Sequence, residues 1–366
     1  MRLLLINTTC GIGSTGRICL EIAREYEEKG YEVKIAYGRE PIDDTSKKYA
    51  VRIGNDFEMK IHGALSRIFD NQGLNSRSAT KRFLEWADTF DPDIVWLHNI
   101  HGYYLNYIEL FNWIKNRHSM KVIWTLHDCW AFTGHCSYFT MVKCDGWKKG
   151  CTICKHKDLY PRSVFLSCSE QNYTKKKESF TGVACMHIIT PSQWLSDLVK
   201  KSFLKEYEVE VRHNTIDESV FQYTESDFRE KYSLEGKKII LGVADEFGKR
   251  KGLDDFIELS KILPKDYVIV LVGLSDKEME KIPSCIVGIK RTRNVDELVK
   301  IYSAADVYVN ATYEDNYPTT NLEAQACGTP CLTYRSGGSP ESVPPENVVE
   351  VGDLDQLRYK IVDLIG

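Results

Sequence analysis

Short apolar runs ending in polar or glycine-rich residues, with helical patterns between them, recur along this chain in two series. The first series comprises residues 2–7, Glu32–Tyr37, 93–98, 121–126 and Ile188–Thr190, with a helical stretch at Arg17–Lys29 stopped by Gly30. The second comprises Lys238–Val243, Tyr267–Val272, Val307–Asn310 and Pro330–Thr333. Near-continuous apolar strands alternating with helices belong to parallel sheets covered on both faces. A chain of 366 residues exceeds what one core usually serves. The series breaks near 191–215, so the expected organisation is α/β with two Rossmann-like domains, 1–190 and 191–366. They are expected to face each other across a cleft. The closing amphipathic stretch, Leu354–Ile365, is expected to pack back on the first domain. In such sheets ligands bind beyond the carboxyl ends of the strands.

The net charge of -4 argues against a dedicated nucleic-acid binder. The apolar start, Met1–Ile6, breaks at Asn7-Thr8-Thr9, too early for a signal peptide, and no run reaches membrane-spanning length. The expected location is cytoplasmic. Twelve cysteines in such a chain point to metal or reduced thiols rather than disulfides.

Gly11-Ile12-Gly13-Ser14-Thr15-Gly16 fits G-x-G-x-x-G between a strand and a helix. Gly13 and Gly16 would let backbone N–H groups approach a phosphate or sugar at a positive helix end. A dinucleotide site would also want an acid at the end of the second strand, where only Glu40, after Tyr37-Gly38-Arg39, is near.

A denser constellation follows the strand Val307–Asn310. It runs Tyr313-Glu314-Asp315-Asn316-Tyr317-Pro318-Thr319-Thr320-Asn321-Leu322-Glu323, continuing to Gly328 and Pro330. Proline suits a helix start and glycine its stop, which predicts a helix over 318–327. The N–H groups of Thr319, Thr320 and Asn321 would then serve a diphosphate. Glu323, one turn beyond Thr319, could accept from a ribose diol, and Asp315 could reach a sugar hydroxyl.

This stretch resembles the E-x7-E signature of glycosyltransferase family 4, retaining enzymes of the GT-B fold. More narrowly, it is similar to the E-D-N-x-P variant of bacterial surface-polysaccharide transferases. Asp315 fills the first glutamate position with Glu314 beside it, so either can be the residue that contacts the donor sugar, with Asn316 next in line. Gly242-Val243-Ala244 and Lys249-Arg250-Lys251-Gly252 resemble the family's strand, loop and basic pair. Ala244 stands where an arginine is usual, so Arg250 and Lys251 would neutralise the leaving diphosphate. Arg291-Thr292-Arg293-Asn294 resembles the base-lining segment, which nominates Arg293, and Gly337-Gly338-Ser339-Pro340-Glu341 the late glycine loop.

In the first half, the resemblance places His127, after the strand at 121–126, toward the donor sugar; His98 and His101 are secondary candidates for the acceptor. Cys136, Cys144, Cys151 and Cys154, spaced C-x7-C-x6-C-x2-C in a Cys-rich insert over about 129–160, fit a structural zinc. They equally fit reduced thiols packed with Trp130, Phe132, Tyr138 and Trp147. Residues 140–205 carry twelve basic against five acidic side chains. With Trp147, Tyr160 and Phe165 beside it, this basic excess fits either an anionic membrane surface or a merely solvated face.

The resemblance implies a retaining hexosyltransferase of polysaccharide biosynthesis, moving sugar from a nucleoside diphosphate sugar to a lipid-linked glycan hydroxyl. It would work without a catalytic cofactor, at the inner face of the membrane. Two rivals stand beside it: a non-catalytic sugar-nucleotide-binding subunit of an assembly complex, and a NAD(P)-dependent oxidoreductase resting on the first glycine loop alone.

Overall fold

A computed structural model describes residues 1–366, which divide into two compact units, Met1–His213 and Asn214–Gly366. In the first, β1 (Arg2–Ile6), α1 (Gly13–Glu28), β2 (Glu32–Tyr37) and β3 (Ala50–Arg52) open the chain. They are followed by α2 (Asp56–Phe69), α3 (Arg77–Phe90), β4 (Ile94–Leu97), α4 (Tyr107–Lys115) and β5 (Lys121–Thr125). After the cysteine-rich insert come α5 (Ser169–Phe180), β6 (Met186–Thr190), α6 (Gln193–Val199) and β7 (Val209–Val211). All seven strands are parallel, in the order β3-β2-β1-β4-β5-β6-β7.

The reason for this layering is legible in β1. Leu3, Leu4, Leu5 and Ile6 are all fully buried, because alternate residues enter separate cores on the two faces. The unit ends at residue 213 rather than 190 because α6 and β7 complete its sheet, Val209 pairing with Ile188. A three-residue, half-exposed edge strand carries no continuous apolar run, and β3 is hidden from sequence for the same reason.

In the second unit, α7 (Phe228–Lys231), β8 (Lys238–Val243), α8 (Leu253–Ile262), β9 (Tyr267–Val272), α9 (Asp276–Met279) and β10 (Ile286–Ile289) come first. Then follow α10 (Val295–Ala304), β11 (Val307–Asn310), α11 (Thr319–Ala326), β12 (Cys331–Tyr334), β13 (Val348–Val349) and α12 (Leu354–Ile365). The strand order is β10-β9-β8-β11-β12-β13, again parallel. Helix α12 buries Leu357 and Ile361 in the same core as Leu253 and Phe256 of α8.

In each sheet the chain direction of assembly reverses once, between β1 and β4 and between β8 and β11. The carboxyl ends flanking those points are where this class of sheet leaves room for a ligand.

Candidate active site

At the β8–β11 point three loops converge. Gly248 and Gly252, at φ of 112° and 73°, bracket a 3-10 turn over Lys249–Lys251. Gly252 lies so close to β11 that a Cβ there would meet the Ala311 carbonyl oxygen at 2.3 Å. From this turn Arg250 donates through an Nη to the Glu314 carbonyl at 2.8 Å, and its own carbonyl accepts from the Tyr313 N–H at 2.8 Å. Lys251 Nζ meets Asp315 Oδ2 at 2.5 Å, and the Asn316 N–H donates to Asp315 Oδ1 at 2.9 Å. The late glycine loop closes the other side: a Cβ on Gly337, at φ 56°, would lie 1.9 Å from the Asp315 carbonyl oxygen. Burial alone would raise the Asp315 carboxyl. The charges of Lys251 and Arg250 and the hydrogen bonds outweigh it and hold the group below its ordinary range, hence ionised at neutral pH.

Helix α11 runs Thr319–Ala326, with Pro318 as its extended cap and Gly328 in the left-handed stop. Glu323 is buried and accepts at Oε2 from the Tyr302 hydroxyl at 3.1 Å. Asn321 departs from its expected role. Its N–H donates to the Pro318 carbonyl at 3.2 Å, and its side chain ties Asn310 to Ser342, both at 2.8 Å. It fastens the helix to β11 and to the late glycine loop. Glu314, Asn316 and Thr319 are buried in the same segment and Thr320 is half-buried. Arg293 has an exposed side chain near the start of α10, and only its N–H is engaged, by Glu297 at 2.7 Å. Sequence reasoning passed over Tyr302, Asn310 and Ser342, whose partners are distant in the chain and leave no local pattern.

In the first unit, the glycine loop after β1 is folded on itself. Gly11 donates to the Gly16 carbonyl at 3.1 Å, and a Cβ on Gly16 would meet Thr9 Oγ1 at 2.7 Å. Gly13 opens α1 at φ 70°, four residues before the expected start. At the end of β2, Gly38 and Arg39 both donate to the Thr8 carbonyl, and a Cβ on Gly38 would lie 2.1 Å from Tyr104. Glu40, the acid nearest that strand end, is exposed.

Beyond β4 and β5, His98 Nδ1 and His127 Nε2 are 3.0 Å apart with rings stacked at 5.3 Å. Burial pushes His127 down to about 4 and His98 well down, so both imidazoles are neutral at pH 7. His101 Nε2 lies 3.0 Å from Asp128 Oδ2, whose other oxygen accepts from the Trp130 N–H at 2.8 Å.

The aromatic residues of the insert join the main core of the first unit. Trp147 stacks on Phe139 and meets Phe132 edge-on, and buried His135 pairs with Asp70 at 2.5 Å. Lys176 reaches in from α5, almost wholly buried. It donates to the Trp130 and Thr133 carbonyls at 2.7 and 3.0 Å and lies 3.6 Å over the Trp130 ring. Burial raises the thiols of Cys136, Cys151 and Cys154, and the cysteines form no disulfide. No group of three or more His, Cys, Asp or Glu side chains, the four cysteines Cys136, Cys144, Cys151 and Cys154 included, is arranged to hold a metal ion. With Lys176 and Trp147 inside, the basic face expected at 140–205 loses two of its members.

Residues 15–220 match the family model for glycosyltransferase family 4, over half of the chain, and residues 224–365 that for glycosyl transferases group 1. The chain belongs to glycosyltransferase family 4. Among relatives of this family 4 protein, an Escherichia coli K12 protein named as a colanic acid biosynthesis glycosyl transferase, WcaC, is 23% identical, covering 98% of this chain and 89% of its own. Sucrose-phosphate synthase of Thermosynechococcus elongatus shares the fold with a TM-score of 0.71 at 16% identity, covering 99% of this chain and 89% of its own. Anabaena HepE, solved in complex with UDP-glucose, has a TM-score of 0.66 at 13% identity over the same shares. These likenesses identify a GT-B architecture of two Rossmann-like halves.

Proposed function

We propose that this family 4 protein is a retaining hexosyltransferase that carries sugar from a nucleoside diphosphate sugar to a hydroxyl of a lipid-linked glycan in polysaccharide biosynthesis. The observation that carries the reading is the convergence of Arg250, Lys251 and Asp315 at the carboxyl ends of β8 and β11. Two cations in a partly dry corner stabilise a departing diphosphate, and each is preset by a bond to the 314–315 segment. Glu323, oriented by Tyr302, takes the ribose; the N–H groups that open α11 and the segment through Asn316 take phosphate and sugar; Arg293 serves the base. Asp315, tied to Lys251, orients the sugar and does not act as a nucleophile. The acceptor oxygen therefore attacks the anomeric carbon on the face that the diphosphate leaves, and its proton passes to the leaving phosphate oxygen. Neutral His127, paired with His98, donates to or accepts from a sugar hydroxyl without adding charge. Gly13 and Gly16 keep the loop after β1 low enough for the acceptor. The colanic acid naming of the Escherichia coli relative supports polysaccharide as the product class.

UDP, which HepE holds as part of UDP-glucose, is the first probe. The purified chain should be stabilised by UDP or another nucleoside diphosphate and should turn over a sugar nucleotide, with the product anomer read by NMR. An inverted anomer would remove the retaining assignment. Lack of stabilisation by every nucleoside diphosphate would remove the donor site.

A further inference from the structure

Helix α2 is inside out. Its inward residues are His62 and Ser66, held by polar bonds: His62 meets Ser76 Oγ at 2.8 Å and accepts from the Gly73 N–H at 3.1 Å. Most of its apolar residues face solvent, with Met59 and Leu65 half-buried. Phe57, Ile61, Ala64 and Ile68 are all exposed, Phe57 at 72%, and their spacing of four, three and four sets them in one stripe. A helix that packs on a core does the reverse.

A second segment extends the stripe. The Val164 and Leu166 N–H groups donate to the carbonyls of Arg67 and Ile68, which fixes Val164-Phe165-Leu166 beside the end of α2. All three are exposed, Phe165 at 69%. Lys157 Nζ braces this loop at the Phe165 carbonyl. Single exposed apolar residues are ordinary, but a contiguous patch from two segments marks a surface that is covered in use.

The charge beside the patch selects what covers it. Lys60 and Arg67, one heptad apart, run along one flank of the stripe, and Arg162, two residues before Val164, is exposed on the loop side. The acids at the start of α2 are already neutralised, Asp56 by Arg52 and Glu58 by Arg82. A second copy would bring this positive rim against itself. An anionic lipid surface matches both parts, apolar side chains entering the acyl boundary and cations resting among the headgroups.

We infer that α2 and the loop 164–166 form the docking surface of this protein on anionic membranes. The inference rests on the reading of a lipid-linked acceptor, but its test is separate. Co-sedimentation of the full chain with phosphatidylcholine vesicles containing phosphatidylglycerol should be strong at low salt, fade with salt, and be weak with phosphatidylcholine alone. Phe57→Ser with Phe165→Ser, and separately Lys60→Glu with Arg67→Glu, should each weaken it at least about tenfold. Both pairs should leave melting temperature and stabilisation by UDP unchanged, since these residues are exposed and lie in the first unit. Equal binding of wild type to both vesicles, no binding to either, or variants that bind like wild type would overturn the surface. So would a wild-type dimer that the serine pair dissociates. If a water-soluble glycan accepts sugar at full rate without vesicles while wild type still sediments selectively, the lipid-linked reading fails and the docking surface stands.

Discussion

Asp315 and Lys251 are both mostly buried, and Lys251 bonds the Asp315 carboxylate directly, with Arg250 adding its charge. Lys251→Met should therefore cost stability as well as turnover, on the order of 3 kcal/mol for a buried pair broken on one side. Arg250→Ala, at an exposed position, should lower kcat with little change in melting temperature. Denaturant unfolding and turnover measured on both variants check this; equal effects on stability would sink the division of roles. Glu323→Gln should weaken nucleoside diphosphate binding by about 1.5–3 kcal/mol, by titration calorimetry, because a charged acceptor is lost. The two acids and the basic turn were legible because each sits in a short motif. The Tyr302 hydroxyl on Glu323 was not, because it arrives from another helix. The neutral His98–His127 pair also sets a pH dependence. An unfolded histidine gains its proton near 6.5, whereas folded His127, buried, gains it only near 4. Between those values the unfolded chain binds more protons. Stability is then fully present above 6.5 and falls as pH drops toward 4, by on the order of 3 kcal/mol for this residue. Urea midpoints across that range should show the fall, and His127→Asn should lessen it, with His98 and His62 keeping their own share.

Among the elements, the long apolar strands and the helix between Pro318 and Gly328 could be read from pattern alone, since burial on both faces and end signals are local. The insert could not. Lys176 reaches its carbonyl partners from a distant helix, and spacing cannot distinguish a ligand thiol from a packed one. The short edge strands and the reversed polarity of α2 likewise depend on what lies beside them. The late glycine loop gives a test at this scale. Gly337 holds a left-handed φ of 56° with no room for a Cβ against the Asp315 backbone. Gly337→Ala should destabilise by more than about 1 kcal/mol and, by shifting Asp315, lower kcat more than it raises KM. Normal kcat in a folded variant would detach the loop from the site. Gly13→Ala is the contrast: nothing lies within 4 Å of its added Cβ, so only its φ of 70° opposes the change.

At the scale of the molecule, each unit has its own parallel sheet and its own pair of cores, which is what an independently stable domain requires. The residues proposed to hold the nucleoside diphosphate all belong to Asn214–Gly366. Ligand binding to the native state stabilises whatever must unfold to release it, by about 2.7 kcal/mol at a hundredfold excess over Kd. Saturating UDP should therefore act unequally. Amide exchange should slow most in the turn at 248–252, in the segment 312–323 and around 336–340, where the loops at the ends of β8, β11 and β12 converge. The far strands of the first sheet, β6 and β7, should change least, since no proposed donor residue lies on them. Calorimetry should show the same asymmetry as an upward shift of one part of the unfolding profile while the rest stays in place. The protein comprising residues 214–366 alone, if it folds with its six strands, should keep most of the UDP affinity. Protection spread evenly over both units, or confined to residues 1–213, would place the nucleotide elsewhere and remove the roles proposed for Glu323, Arg250 and Lys251 together.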